Sequence, residues 1–307
     1  MLRFLFRRLL VAIPTLLVVI TLAFFLMRAA PGGPFDTDRI LPPEVVAAME
    51  ARFGLDKPLP VQYVEYLGNV VTGDFGPSMK YQDKTVLDFI KEGFPVSLKI
   101  GLSALILAMG VGVTLGSLAA LRQNTPADYS VTAIAILGVC VPTFVTAPLL
   151  LLLGKAVDWG LPSGGWNDGA LPNMVLPVIV LSLPQIAIIS RLTRAGMVEV
   201  LRSNYVRTAR AKGLSEWTIV TRHALRGAIL PLVAYLGPAC AGVITGSLVI
   251  EEIFQLPGLG RSFIIGALQR DYPVVMGVVI LYGALIIVLN LVADLLTALL
   301  DPRVRLS

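Results

Sequence analysis

Six apolar runs, approximately residues 9–27, 100–121, 129–153, 171–189, 229–250 and 274–300, set the first constraint on this 307-residue chain. Each is close to the roughly 20 helical residues needed to cross a hydrocarbon layer of about 30 Å. Backbone polar groups in lipid must be satisfied within the segment, so the expected fold class is all-α, a polytopic membrane protein with six transmembrane helices. Composition agrees: 56% of residues are hydrophobic and only 15% charged, with a mean hydropathy of +0.80, far from a soluble domain. Pro14, Pro142, Pro148, Pro177, Pro184, Pro231 and Pro238 lie in or beside the runs, which membrane helices tolerate better than soluble ones.

The first run follows Arg3, Arg7 and Arg8 and precedes "MRAAPGG", the outline of a secretory signal. Its apolar stretch exceeds the roughly 7 to 15 residues of a signal core, so a retained span is expected. Cys140 and Cys240 both fall inside runs and read as packing residues, with no disulfide framework or paired-cysteine metal site indicated.

The net charge of +5 reports orientation. Arg191, Arg194, Arg202, Arg207, Arg210, Lys212, Arg222 and Arg226 crowd one loop, opposed only by Glu199 and Glu216. Short loops rich in Lys and Arg stay in the cytoplasm. That places this loop and the Arg-bearing N-terminus inside, and six spans return the C-terminus, with Arg303 and Arg305, to the same side. The resulting divisions are residues 1–28 (N-terminal segment and first span), 29–95 (an outer helical region), 96–300 (a five-helix core with a cytoplasmic loop at about 194–227) and 301–307 (a cytoplasmic tail).

In the outer region "LPPEVVAAMEARFG" has a proline start, helical apolar spacing and Gly54 as a stop, and a second short helix is expected over about 61–71. "GDFGPS" then breaks the chain ahead of a small apolar cluster, Val86, Leu87, Phe89 and Ile90. The region reads either as a loop folded on its neighbours or as a receiver of a partner or substrate. No repeat of transporter-half length is present, so a pore would need a second chain.

The basic loop contains "VRTARAKGLS", residues 206–215. Ser203 or Asn204 can cap a short helix, Gly213 can supply its left-handed end, and Ser215 can cap a second helix, "EWTIVTRHALR". Val206, Ala209 and Gly213 share one side of the first helix and suit close approach by another backbone, while Arg207, Arg210 and Lys212 can pair with carboxylates. Orientation alone would require the charge but not the capped helix or the glycine stop.

"ARAKGLS" followed by "RHALRGAILP" resembles the cytoplasmic EAA loop of membrane subunits of ATP-binding-cassette importers, in the variant of the peptide and nickel branch. Gly213 matches the loop glycine and Ala209 one of the alanines. The glutamate before the alanines is absent, and "HALR" replaces an Ile-x-Leu-Pro ending, as in that branch. The likeness extends through "LRFLFRRLLVAIPTLLVVI", "APGGPF", "GDFGPS", "FPVSLKIG", "GSLVIEEIFQLPGLGRSFIIGALQRDYP", "LPSGGWNDGALPNMVLP" and "LDPRVR", with oligopeptide permeases nearest. It implies a type I importer permease fold in a bacterial inner membrane. It further implies a coupling helix at about 205–212 that fits a groove on an ATPase, with Tyr205, Val206, Ala209, Arg210, Ala211, Lys212, Gly213, Leu214, Ser215, His223 and Arg226 forming the coupling surface.

No phosphate-cradling GxxxxGK[ST] occurs, so no cofactor is expected on this chain and any ATP and Mg belong to partner subunits. His223, the single histidine, has no Cys, His or carboxylate cluster for a metal or triad. Asn290 and Asp294 stand one helical turn apart in the last run and serve either as a polar structural contact or as part of a path. Gln185, Thr245 and Ser247 line a path or bond between helices. Glu251, Glu252, Gln255, Pro257 and Gly258 lie where the resemblance expects an outer gate and binding-protein contact, or else cap a helix.

The resemblance implies a second permease subunit, two cytoplasmic ATP-binding subunits, a periplasmic peptide-binding protein and an oligopeptide as substrate, with no nucleic acid. Dipeptides, glutathione or a nickel chelate are the nearest substrate alternatives, although a bare metal ion would favour more His, Cys or carboxylate in the path. An ion-coupled secondary transporter would need titratable groups at depth, and Asp294 is a thin basis for one. A receptor or scaffold would explain the loop but not the proline-broken spans.

Overall fold

The structure is a computed structural model that describes residues 2–30, 32–35, 42–245 and 247–300. The expected tail with Arg303 and Arg305 lies outside the described residues. The helices in chain order are α1 (Leu2–Ala29), α2 (Pro43–Arg52), α3 (Leu59–Thr72), α4 (Val86–Leu121), α5 (Pro126–Cys140), α6 (Thr143–Val157), α7 (Leu171–Leu201) and α8 (Asn204–Ala211). They continue with α9 (Glu216–Thr218), α10 (Leu225–Ala228), α11 (Leu230–Thr245), α12 (Leu248–Ile253), α13 (Leu259–Gln269) and α14 (Tyr272–Leu300). Among the described residues no strand forms beyond one isolated bridge, Pro77 to Thr85.

Among the described residues five helical stretches are long and apolar enough to cross a membrane, and a sixth arises if α5 and α6 count as one broken span. The expected single helix over 129–153 is thus corrected: α5 and α6 meet at 106°. Val141 precedes Pro142 and adopts an extended backbone, φ −88° and ψ 116°, because the proline ring disfavours the α conformation in the residue before it. Pro95, Pro177, Pro184 and Pro238 sit inside continuous helices. The Val86 cluster, read from sequence as separate, is the first turn of α4. Thr85 starts that helix, its N–H and Oγ1 both donating to Asp88 Oδ2 at 2.9 and 2.7 Å.

The described residues form two compact units, one within 97–256 and 285–300, the other within 2–96 and 257–284. In the first, α7 is the central element. Its 31 residues span about 46 Å at 1.5 Å per residue, so it outreaches a hydrocarbon layer and extends as a stalk past the expected end at 189. Small residues let neighbours close on it: a side chain at Gly112 would meet Ile189, at Gly116 the Ser190 carbonyl, and at Gly196 the Ala228 carbonyl. Asp128, at 1% exposure, ties α5 to the stalk through a two-pronged ion pair, Arg194 Nε to Oδ1 at 2.5 Å and Nη2 to Oδ2 at 2.7 Å.

In the second unit, Phe24 of α1 is enclosed by Tyr63 and Tyr66 of α3. Three stretches distant in sequence meet at its loops. Ser78 donates to Asp271 Oδ2, the Met79 N–H reaches Oδ1 at 3.2 Å, and Arg270 Nη1 donates to the Gly33 carbonyl at 3.1 Å. "GDFGPS" is therefore more than a break: it places Ser78 on a buried carboxylate.

Candidate functional site

The basic loop folds as the helix, turn and helix expected, with a shift of one residue: α8 covers Asn204–Ala211. Ser203 holds the N-cap position, but its Oγ donates back to the Val200 carbonyl at 2.6 Å and caps nothing. At the other end Gly213 takes φ +76°. The Gly213 N–H then reaches the Arg210 carbonyl at 2.9 Å and the Leu214 N–H the Ala209 carbonyl at 3.3 Å, the paired bonds of a Schellman stop. Ser215 opens α9 as expected, its Oγ accepting from the Thr218 N–H at 3.3 Å.

Arg210 closes the turn with a two-pronged ion pair to Glu216, Nε to Oε1 at 2.8 Å and Nη2 to Oε2 at 3.1 Å. This holds the Glu216 carboxyl below its ordinary range and raises the guanidinium.

One expectation is overturned. Val206 and Ala209, at 0% and 5% exposure, point inward onto Ile219, with Val200 and Leu201 around them. They seat α8 on its own chain and offer nothing to a partner. The outward surface consists of Tyr205, Arg207, Arg210, Ala211, Lys212, Gly213, Leu214 and Ser215, together with Trp217, which sequence reading passed over and which is 77% exposed.

The signal for Trp217 was an aromatic in the first turn after the Ser215 cap. Beyond α9 the chain winds as π-helical turns over Ile219–Ala224. There His223 is half-buried, with Nδ1 3.4 Å from the Thr218 carbonyl, whereas Arg226 is exposed. Gly227 packs near the Tyr205 hydroxyl.

The path candidates do not form one group. Gln185 accepts from the Tyr235 hydroxyl at 2.7 Å, joining α7 to α11. Thr245 donates to the Ala241 carbonyl of its own helix at 2.8 Å. Ser247 is fully buried and donates to Glu251 Oε1 at 2.5 Å. Asn290 and Asp294 are half-buried on α14, near the point where Gly237 lets α11 approach Asn290 and Ala293.

The outer candidates also divide. Glu251 is 0% exposed, a helix-internal acceptor and not a surface contact. Glu252 is half-buried, Gln255 and Pro257 are exposed, and Gly258 is buried. The glycine-rich loop before α7 supports this segment. The Gly165 N–H donates to the Phe254 carbonyl at 2.8 Å, and Asn173 Nδ2 donates to the Gly164 and Gly165 carbonyls at 3.2 and 3.0 Å.

Among the described residues no cluster of three His, Cys, Asp or Glu could hold a metal. The basic loop is the most fully formed functional surface: a helix with a Gly213 stop, followed by a Ser215-capped turn, on a stalk, aromatic and cationic outside, apolar beneath.

A family model described as "Binding-protein-dependent transport system inner membrane component" matches residues 112–306, and its N-terminal counterpart matches residues 1–101. The chain belongs to this family. The permease is 52% identical over 305 residues to the oligopeptide transport system permease protein OppB of Escherichia coli (strain K12), covering 99% of this chain and 100% of the relative. It is 43% identical over 307 residues to the dipeptide transport system permease protein DppB of Bacillus subtilis (strain 168), covering 100% of this chain and 99% of the relative.

A solved amino acid ABC transporter, crystallised with histidines, aligns with 78% of the permease and 98% of its own chain, at 18% identity and a TM-score of 0.49. The permease is a multi-pass inner-membrane protein.

Proposed function

We propose that this chain is one of two permease subunits of an ATP-driven importer that carries oligopeptides inward by alternating access. The observation that carries the reading is the α8 to α9 loop, which is stopped at Gly213, capped at Ser215, and projects Trp217, Tyr205 and Arg207 beyond the membrane-spanning part of α7. Exposed aromatics flanked by cations are what a buried protein contact uses as anchors. The partners are a second permease subunit, two cytoplasmic ATPases holding ATP and Mg, and a periplasmic peptide-binding protein.

Closure of the ATPases around ATP pulls on the loop, and the stalk passes the motion to the spans. ATP must favour one of the two conformations for any shift to occur. The permease itself holds no nucleotide and breaks no bond. The likeness to OppB supports oligopeptides, and that to DppB keeps dipeptides as the second reading.

The test is a cysteine at the exposed Lys212, introduced after replacing Cys140 and Cys240 and crosslinked in membranes with and without ATP. A specific band to an ATPase subunit is expected, whereas absence of a band from 207, 212 and 217 alike would contradict the docking role.

A further inference from the structure

A cavity of about 340 Å³ lies within the unit of residues 2–96 and 257–284, walled by the end of α1, by α2 and α3, and by the first turn of α14. Phe53, Phe75 and Met276 supply apolar wall. Its charged residues are Arg28, Arg52, Lys57, Glu65 and Asp74, a surplus of one positive charge. Both carboxylates are engaged: Glu65 with Lys57 Nζ at 2.7 Å, and Asp74 Oδ1 with the Gly76 N–H at 2.9 Å.

Arg28 is held firmly but incompletely. Its guanidinium carbon sits 3.6 Å from the Phe24 ring centroid, and Nε donates to Gln62 Oε1 at 2.9 Å. Gln62 is fixed in turn by donating to the Leu55 and Lys57 carbonyls at 3.1 and 2.8 Å. Yet Nη1 of Arg28 and the hydroxyl of Tyr66, another residue of the same wall, are buried with no hydrogen-bond partner among the described residues.

Burial raises the Tyr66 hydroxyl well above its ordinary pKa, so it remains a donor. Two buried donors without an acceptor among the described residues are costly. They call for an anionic group with at least two acceptor oxygens.

Depth selects which anion. Arg28 is in the last turn of a span that is apolar from Leu10 to Ala29, and Tyr272 begins another, Tyr272–Leu300. The cavity therefore opens at the level where hydrocarbon gives way to headgroups, where Arg side chains and aromatic rings concentrate.

We propose that the cavity is a phospholipid site, in which the headgroup phosphate accepts hydrogen bonds from Arg28 Nη1 and Tyr66 OH and the apolar wall takes the glycerol and adjoining acyl carbons. The lipid belongs to the outer leaflet, since α1 runs from the Arg-bearing N-terminal end to Arg28. A phosphate suits this pair better than a point acceptor, since a guanidinium and a phenol approach different oxygens of one group.

The test is native mass spectrometry of the delipidated complex, purified with its partner subunits and titrated with dioctanoyl phosphatidylglycerol. Saturable binding is expected, weakened about tenfold or more in Arg28→Gln, which removes a charge-assisted donor. Tyr66→Phe keeps the ring against Phe24 and removes only the hydroxyl, and is expected to weaken binding about threefold to tenfold. It decides the matter if Arg28→Gln does not fold.

Equal lipid binding by wild type and Tyr66→Phe would overturn the site. Displacement of the lipid by millimolar inorganic phosphate would also overturn it, in favour of a small-anion site. Lipid binding untouched by both substitutions, with association of the binding protein lost instead, would assign the donors to a protein carboxylate.

Discussion

At Gly213 the backbone takes φ +76° with open space where a Cβ would lie, so alanine there meets strain and no clash. Gly213→Ala is expected to destabilise the end of α8 by about 1 kcal/mol, seen as roughly fivefold faster amide exchange over residues 204–214. The Arg210 to Glu216 pair adds a pH dependence. The Glu216 carboxyl is depressed in the folded loop, so its contribution is present above the ordinary value of 4.5 and lost as pH falls through the lower folded value. Protection of α8, corrected for intrinsic exchange, is expected to fall in that acid window in wild type and not in Glu216→Gln.

Asp128 behaves differently because it is buried: removing one partner leaves a charge uncompensated, and Asp128→Asn should cost about 3 kcal/mol. A double-mutant cycle with Arg194→Gln in thermal unfolding measures the coupling. The glycine stop and the Ser215 cap were legible in sequence because they are local. The Asp128 pair was not, since its partner stands 66 residues away and "TPADYS" reads only as the start of a span.

Among elements, α8 shows both the reach and the limit of pattern reading. Its length and its glycine stop follow from residues within one turn of its C-terminal end, whereas the expected Ser203 cap does not form. Which side faces its own chain does not, because that is decided by Ile219, which folds underneath through the turn. Val206 and Ala209 were legible as small or apolar residues sharing a face, and the structure spends that face on seating the helix.

Trp217→Ala and Val206→Asp therefore separate docking from folding. Trp217 is surface, so its loss is expected to shift Tm by no more than about 1 to 2 °C. ATP-coupled peptide transport is expected to fall about tenfold or more, the loss of a contact anchor. Val206→Asp buries a charge beneath α8 and is expected to reduce the amount of folded protein itself. Quantitative membrane extraction and uptake in the same cells distinguish the two. The 106° break between α5 and α6 likewise turns on one residue, Val141, whose backbone the following proline excludes from the helix; the hydropathy of the run is blind to it.

For the whole molecule, the apolar runs and the Lys and Arg asymmetry carried the membrane class, while the motifs shared with the family carried the rest. Their pairing was not visible: "APGGPF", "GDFGPS" and "QRDYP" meet in the folded unit through residues that include Gly33, Ser78, Arg270 and Asp271. Ser247 donates to Glu251 at 2.5 Å, and in the proposed function energy is delivered through the basic loop.

The decisive measurement is uptake of a labelled oligopeptide by proteoliposomes holding the reconstituted complex, with binding protein outside and ATP enclosed. Uptake that requires both the binding protein and enclosed ATP, and that persists when a protonophore collapses the pH gradient, is the expected result. Uptake driven by an imposed pH gradient without ATP would contradict the assignment and return the chain to the secondary transporters.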